Sequence, residues 1–367
     1  MFKLVLRRLH LCLAIFVGFF VINLSISGAL LIYAKEIQAI VNPHYWLVDI
    51  NPVQKQKTLP LPQLITHIQQ VTDERIYIIE LSDETNEVWQ VILENKEYLN
   101  LNPYTGEILL RHNFYDTFYG FVMSWHRWLI YRDGQGNRPM QLWVSIASLI
   151  FIIELFIGLT LWLKPKHRIK RLRVRWQTKN KVRFHQLHLC LGVFCCLPLL
   201  LIAFSGMAFY WQDACKSIIE TLTFDQIEST PSAPTLSFTN GSDEQLQDIA
   251  LMNLSHAYQQ AHSVLAKGKV YRIYIPTKVN APLGLRIKMP DESHGYSWSW
   301  ANPYSGELLG FYDASKASIA TQAWHFKYKF HIGDFIAWPV SILWLVLSLL
   351  PTFFVISGLY LYWQRKR

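Results

Sequence analysis

Four long apolar blocks constrain what this chain can fold into more than any other feature of its sequence. The first runs from Leu11 to Ala34 without a charge, and the second from about Met140 to Leu163 with one acid, Glu154. The third runs from Leu187 to Trp211 and the fourth from Phe335 to Trp363. A helix needs ~20 apolar residues to cross the hydrocarbon of a bilayer, and each block is long enough. Unpaired backbone groups find no water there, so each block is expected to be a membrane-spanning helix. Lys3, Arg7 and Arg8 ahead of the first block resemble the start of a secretory signal. The apolar stretch is too long for one and no small-x-small cleavage site follows, so the block reads as an uncleaved anchor.

Topology follows from the placement of Lys and Arg. Ten basic residues and no acid lie between Lys164 and Arg183, joining the second and third blocks. The N-terminal segment carries Lys3, Arg7 and Arg8, and the last three residues are Arg365, Lys366 and Arg367. All three clusters are expected on the cytoplasmic side. They account for most of the formal charge of +9. A basic run can also bind nucleic acid, but this one flanks two spans, so no nucleic-acid partner is expected. A hydrophobic content of 51% with 14% aromatic residues excludes a disordered chain. Four of the five cysteines, Cys12, Cys190, Cys195 and Cys196, fall in the apolar blocks and only Cys215 lies near an outer loop, so no disulfide framework is available.

The expected organisation is therefore a first span in 1–34 with a cytoplasmic N-terminus, an outer domain in 35–125, and a His-bearing approach with the second span in 126–163. A basic loop (164–186), the third span (187–211), a second outer domain (212–320) and a His-bearing approach with the fourth span and cytoplasmic C-terminus (321–367) complete it. The first outer segment reads as a helix over Leu59–Thr72 and strands near Tyr77–Leu81, Val88–Leu93 and Tyr98–Leu101. The second reads as a linker over Ser229–Ser237, a helix over Glu244–Ala266, and strands near Val270–Ile275, Leu283–Lys288 and Tyr296–Trp300.

The chain repeats itself. Asn102-Pro-Tyr-Thr-Gly-Glu-Ile-Leu109 matches Asn302-Pro-Tyr-Ser-Gly-Glu-Leu-Leu309, and Leu9-His-Leu-Cys-Leu13 matches Leu187-His-Leu-Cys-Leu191. Ser27-Gly28 matches Ser205-Gly206, and Gly158-Leu159 matches Gly358-Leu359. Each half is span, outer domain, span, and both halves run the same way through the membrane.

These motifs, in this order and duplicated, resemble the PepSY-associated transmembrane family over nearly the whole length. The resemblance implies a membrane protein with four transmembrane α-helices in two parallel repeats and two periplasmic α+β PepSY-like domains. Four-span members with two such domains resemble inner-membrane siderophore reductases of the FoxB type. That implies the bacterial inner membrane, two b-type haems and a ferric siderophore as substrate; with no nicotinamide or flavin motif in the chain, the electron donor is an unidentified partner, a quinol or a cytoplasmic reductase.

Histidine at the edge of a span is costly and usually functional. His10 and His188 occupy equivalent positions at the cytoplasmic ends of their spans, and a bis-histidine haem needs one imidazole from each of two facing helices. His126, in Trp125-His-Arg-Trp128, precedes the second span on the outer side. Its partner is expected to be His331, in the family-like His331-Ile-Gly333, with an insertion in the first half within Arg132–Pro139. The runner-up is His325, which shares a Trp-His pair with His126. His185, one turn before His188, is a candidate partner for that ring. The remaining outer histidines, His67 and His256 among them, read as ordinary domain residues. Eighteen residues of helix rise ~27 Å, so Gly28 and Gly206 should lie beside His126 and His331, and Gly158 and Gly358 beside His10 and His188. There they would let a porphyrin approach the backbone.

No Rossmann glycine fingerprint, phosphate-binding loop, HExxH or zinc-spaced CxxC occurs in the sequence. Two other classes remain open: a PepSY sensor or protease regulator, and a metal or solute transporter. Orientation is directly testable. Reporters fused after Arg175 and after Gly241 should report opposite compartments, and the same compartment for both would overturn the assigned topology.

Overall fold

A computed structural model of the chain describes residues 1–49, 57–237, 243–290 and 292–366; Gly241 falls outside them. In chain order its helices are α1 (Phe2–Ile32), α2 (Ala34–Val41), α3 (Pro43–Trp46), α4 (Leu61–Gln69), α5 (Phe118–Trp128), α6 (Met140–Leu163), α7 (Asn180–Phe194), α8 (Cys196–Met207), α9 (Gln212–Thr223), α10 (Asp243–Ser263), α11 (Ile319–Ile332) and α12 (Trp338–Lys366). The strands are β1 (Ile76–Glu80), β2 (Trp89–Leu93), β3 (Glu97–Leu101), β4 (Ile108–Asn113), β5 (Lys269–Tyr274), β6 (Leu283–Lys288), β7 (Ser297–Ala301) and β8 (Leu308–Tyr312). Two compact units result. Met1–Ala34, Tyr119–Leu222 and Lys327–Arg367 form a helical unit, and Lys35–Phe118 with Thr223–Phe326 form a sheet unit.

In the helical unit α1, α6 and α12 are each long and apolar enough to cross a membrane. The third block differs from the single helix expected over Leu187–Trp211. It starts at Asn180, breaks at Cys195 with a bend of 65° and ends at Met207, so a fourth crossing exists if the bent pair counts as one span. Pro198 explains the break. It has no N–H to offer the Phe194 carbonyl, and its ring crowds that oxygen. Pro351 sits inside α12, which nevertheless continues as one helix. One residue on, the Ser25 hydroxyl of α1 donates to the Ser348 carbonyl and accepts from the Thr352 N–H at 3.3 Å. A side chain of one helix thus stands between the two partners of a backbone rung of another.

The sheet unit departs from the expectation of two domains. Its eight strands form one antiparallel sheet in the order β4-β3-β2-β1-β5-β6-β7-β8, four from each half of the chain. The halves join where β1 meets β5, with Ile79 opposite Ile273 and Glu80 opposite Arg272. Arg272 donates to Glu80 through Nε at 2.9 Å and Nη2 at 2.7 Å, and the Tyr271 hydroxyl donates to the other carboxylate oxygen at 3.1 Å. Burial opposes the guanidinium charge, but the Glu80 carboxylate outweighs it and raises the Arg272 pKa. One core serves both halves. Leu64, Ile65 and Ile68 of α4 and Leu254, Ala257 and Ala261 of α10 cover Ile79, Val91, Leu99, Ile273 and the alternating Leu283, Leu285 and Ile287. The period of two along β6 is what a strand with one covered face requires. β4 and β8, absent from the expected elements, lie at the two edges, where half-exposed strands lack that clear alternation.

The first six residues of the duplicated Asn-Pro-Tyr motif, 102–107 and 302–307, are the turn between β3 and β4, and again between β7 and β8. In each copy the Asn side chain, Asn102 or Asn302, accepts from the Tyr N–H two residues on at 2.9 Å. Gly106 and Gly306 take φ of 77° and 76°, a region that glycine adopts without strain. The rings of His67 on α4 and His256 on α10 lie where a Cβ would stand on these glycines. Both histidines thus share one packing role, repeated in each half. Gly106→Ala and Gly306→Ala should each cost roughly 1–3 kcal/mol for the left-handed backbone, with the crowded ring adding to it. Gly310, where a Cβ meets open space, should accept Ala with little change. Thermal unfolding of the purified chain checks the contrast.

Candidate functional site: two histidine pairs

The helical unit brings four histidines together in two pairs. His10 of α1 and His188 of α7 have ring centres 6.4 Å apart with planes at 85°. His126 of α5 and His331 of α11 have ring centres 6.1 Å apart with planes at 52°. His325 is elsewhere, stacked on Tyr296 of the sheet unit at 3.9 Å and 6°. Six residues separate it from His331, which turns the two rings ~120° apart on a regular helix. The match between Trp125-His126 and Trp324-His325 therefore has no counterpart in space. The extra residues of the first half lie in the α5–α6 connection, 129–139 against 333–337 in the second. Part of that segment folds as a turn in which Asp133 Oδ1 accepts from the N–H groups of Gln135 at 2.9 Å and Asn137 at 2.7 Å.

The four glycines stand beside the histidines. They face the imidazoles themselves, so the space that a missing side chain leaves is taken by a histidine ring. A Cβ on Gly206 would come within 2.9 Å of His331 Cε1, and one on Gly28 within 3.2 Å of His126 Cε1. At Gly158 and Gly358 the corresponding distance to His10 and His188 is 3.8 Å, an ordinary contact. Close approach of ring to backbone thus depends on glycine at the second pair and only tolerates it at the first.

Each ring is held by its Nδ1. Ser27 Oγ lies 3.0 Å from His126 Nδ1, Ser205 Oγ 3.0 Å from His331 Nδ1, and Ser357 Oγ 2.8 Å from His188 Nδ1. Every one of these hydroxyls already donates to a carbonyl of its own helix, those of Asn23 (2.5 Å), Ile202 (2.9 Å) and Phe354 (3.2 Å). Its remaining lone pairs can only accept, so the proton sits on Nδ1. The Ile202 carbonyl, 3.1 Å from His331 Nδ1, demands the same. The fourth ring, His10, makes its Nδ1 contact with the Glu154 carboxylate. Engaging Nδ1 leaves the Nε2 lone pair for a metal. For His188 that partner is Ser357 rather than His185.

Burial lowers the pKa of His126 to about 3 and of His331 to about 4, so both rings are neutral at pH 7. Beside them Phe209 packs on His331 at 5.5 Å, and Lys327 lies 5.6 Å from the Phe209 ring centre. Burial, with Lys216 adding repulsion, brings the Lys327 amine down to about 8. Trp125 donates from Nε1 to Asn23 Oδ1 at 2.9 Å, and buried Trp128 has the Arg138 guanidinium 4.0 Å from its ring centre.

The donor set fits a bis-histidine iron. Imidazoles on opposite sides of one metal, each bonded at about 2 Å, put their ring centres roughly 6 Å apart, as both pairs do. Among the described residues no cluster of three or more His, Cys, Asp or Glu could hold a bare metal ion. The roles of Ser27 and Ser205 were visible only as a Ser-Gly repeat, and Ser357 and Glu154 only as polar residues in apolar blocks.

Apolar helices of membrane length with paired histidines, together with a helix-backed antiparallel sheet, define a membrane protein with a second, folded unit. The chain matches the PepSY-associated TM region over residues 7–365, and it belongs to that family. No curated protein matches it. The ring geometry makes a specific prediction. If each pair holds a b-type haem, His331→Ala should remove about half of the haem absorbance, while His325→Ala should keep all of it. The reverse pattern would show that the Trp-His alignment was the right one.

Proposed function

We propose that this chain is a di-haem b electron-transfer protein of the bacterial inner membrane that reduces a ferric siderophore at the periplasmic face. The observation that carries the reading is the spacing of the two ring pairs, 6.4 Å and 6.1 Å, with every Nδ1 engaged by a neighbouring side chain. His10 and His188 hold the inner haem, and His126 and His331 the outer one. Bound haem supplies one-electron chemistry, and the protein sets its potential and access.

In this reading α1, α6, the bent α7–α8 pair and α12 make four crossings. The basic segments lie in the cytoplasm and the sheet unit in the periplasm. Ser27, Ser205 and Ser357 keep the ligand rings in one tautomer and one orientation. The 65° bend at Cys195 shortens the path expected between the two levels of the second half. The ~27 Å of a straight helix from His188 to Gly206 becomes about 23 Å by the same rise. A quinol or a cytoplasmic reductase delivers electrons at the inner level. Each electron leaving the outer level converts one Fe(III) of the substrate to Fe(II), which hard oxygen ligands hold far less well. The resemblance to siderophore reductases supports that substrate.

A sensor or protease regulator has no use for two ring pairs of this geometry, and a transporter site for a bare ion wants three or four protein donors. Purified protein from haem-replete cells should show a reduced-minus-oxidised b-type spectrum with about two haems per chain. After anaerobic reduction, a ferric siderophore should reoxidise it with a stoichiometry of one iron per electron. Colourless protein would sink the proposal.

A further inference from the structure

We infer that Glu154 is a positioning residue that holds the inner site at a lower reduction potential than the outer one, and so gives electron flow its outward direction. The inference rests on the di-haem reading above. Three of the four ligand rings present Nδ1 to a neutral serine hydroxyl. His10 alone presents it to a carboxylate. Glu154 is the only acid in α6, its residue is 6% exposed, and its second oxygen, Oε1, is buried with no hydrogen-bond partner among the described residues. No other donor therefore dilutes its charge.

The duplication sharpens the contrast. At the offset of 200 that relates Gly158 to Gly358, Glu154 corresponds to Phe354. The Phe354 ring packs on His188 at 5.2 Å. Both halves thus aim this position at their inner histidine, one with a carboxylate and the other with a phenyl ring.

With Nε2 on a metal, the His10 proton would sit on Nδ1, and the Glu154 carboxylate in contact with it would be its acceptor. A charge-assisted acceptor makes the imidazole a stronger electron donor to its metal than a hydroxyl does. In a site of low dielectric the negative charge also favours ferric over ferrous iron. Both effects lower the potential at His10/His188. The second pair has only uncharged acceptors, the Ser27 and Ser205 hydroxyls and the Ile202 carbonyl. One electron given up at the inner site is then accepted downhill at the outer site, with no proton changing place.

Glu154→Gln keeps the shape and one acceptor oxygen but removes the charge. Redox titrations of the haem bands in the His331→Ala chain, which retains the inner site, and the His10→Ala chain, which retains the outer, separate the two sites. Glu154→Gln should shift the inner reduction equilibrium toward ferrous by at least tenfold, about 59 mV for one electron, and leave the outer unchanged at equal haem content. An unshifted inner potential, or an equal shift at both sites, overturns the inference. If Glu154→Gln loses the inner haem, Glu154→Asp must restore it at low potential, and failure to do so also overturns it. Wild-type chain without haem would instead overturn the reading beneath it.

Discussion

Engagement of Nδ1 on each paired histidine is the constraint around which the helical unit is arranged. A ring at the end of an apolar span has few partners for its second nitrogen, and an unmatched buried polar atom is expensive. The partner must therefore come from a neighbouring helix, at hydrogen-bond distance and beside a backbone bare enough to admit the ring. Ser27-Gly28 and Ser205-Gly206 supply both needs in two consecutive residues. The serine hydroxyls point the right way because their own protons already go to carbonyls one turn back, at Asn23 and Ile202. Helix spacing, ring orientation and tautomer are consequences of the same short segment.

Much of this was legible in the sequence because two strong signals coincide. Uninterrupted apolar runs fix where helices of membrane length occur, and the duplication fixes which residues are equivalent. Together they paired His10 with His188 and placed all four glycines beside the correct histidines. The local resemblance of Trp324-His325 to Trp125-His126 pulled the other way, because an insertion in the α5–α6 connection shifts one half against the other. What was not legible depends on contacts between segments far apart in the chain. Periodicity within each half says nothing of the β1–β5 seam, since a pair of edge strands looks the same paired or bare. The break at Cys195 had its cause in plain view at Pro198, yet Pro351 sits in α12 without breaking it. A proline marks a lost rung, and only the surrounding packing decides whether the helix bends there. The glycines lie beside the expected histidines, but a helix face without side chains does not say which ring atoms will lie against it.

The repeat has also kept geometry better than chemistry. Serine, glycine and the accepting carbonyls recur at the second pair almost unchanged, whereas around the first pair one half uses Glu154 and the other Phe354 and Ser357. The positions that engage Nδ1 have stayed alike at the second pair and have diverged at the first. Two sites of similar shape can then differ in electrical character without any change in backbone.

The seam of the sheet has a further meaning. β1 is the first strand of its half and β5 the first of the other, and they pair antiparallel. His10 likewise faces its own counterpart, His188. A residue that meets its own equivalent is the mark of an isologous contact, the kind that relates two identical subunits by a two-fold axis. A half-length chain of one span, one four-stranded sheet and one more span would have every surface needed to build both histidine pairs and the whole sheet by self-association. The linked protein is in this sense a homodimer made permanent. Linked in one chain, the two halves can differ in sequence, which identical subunits cannot.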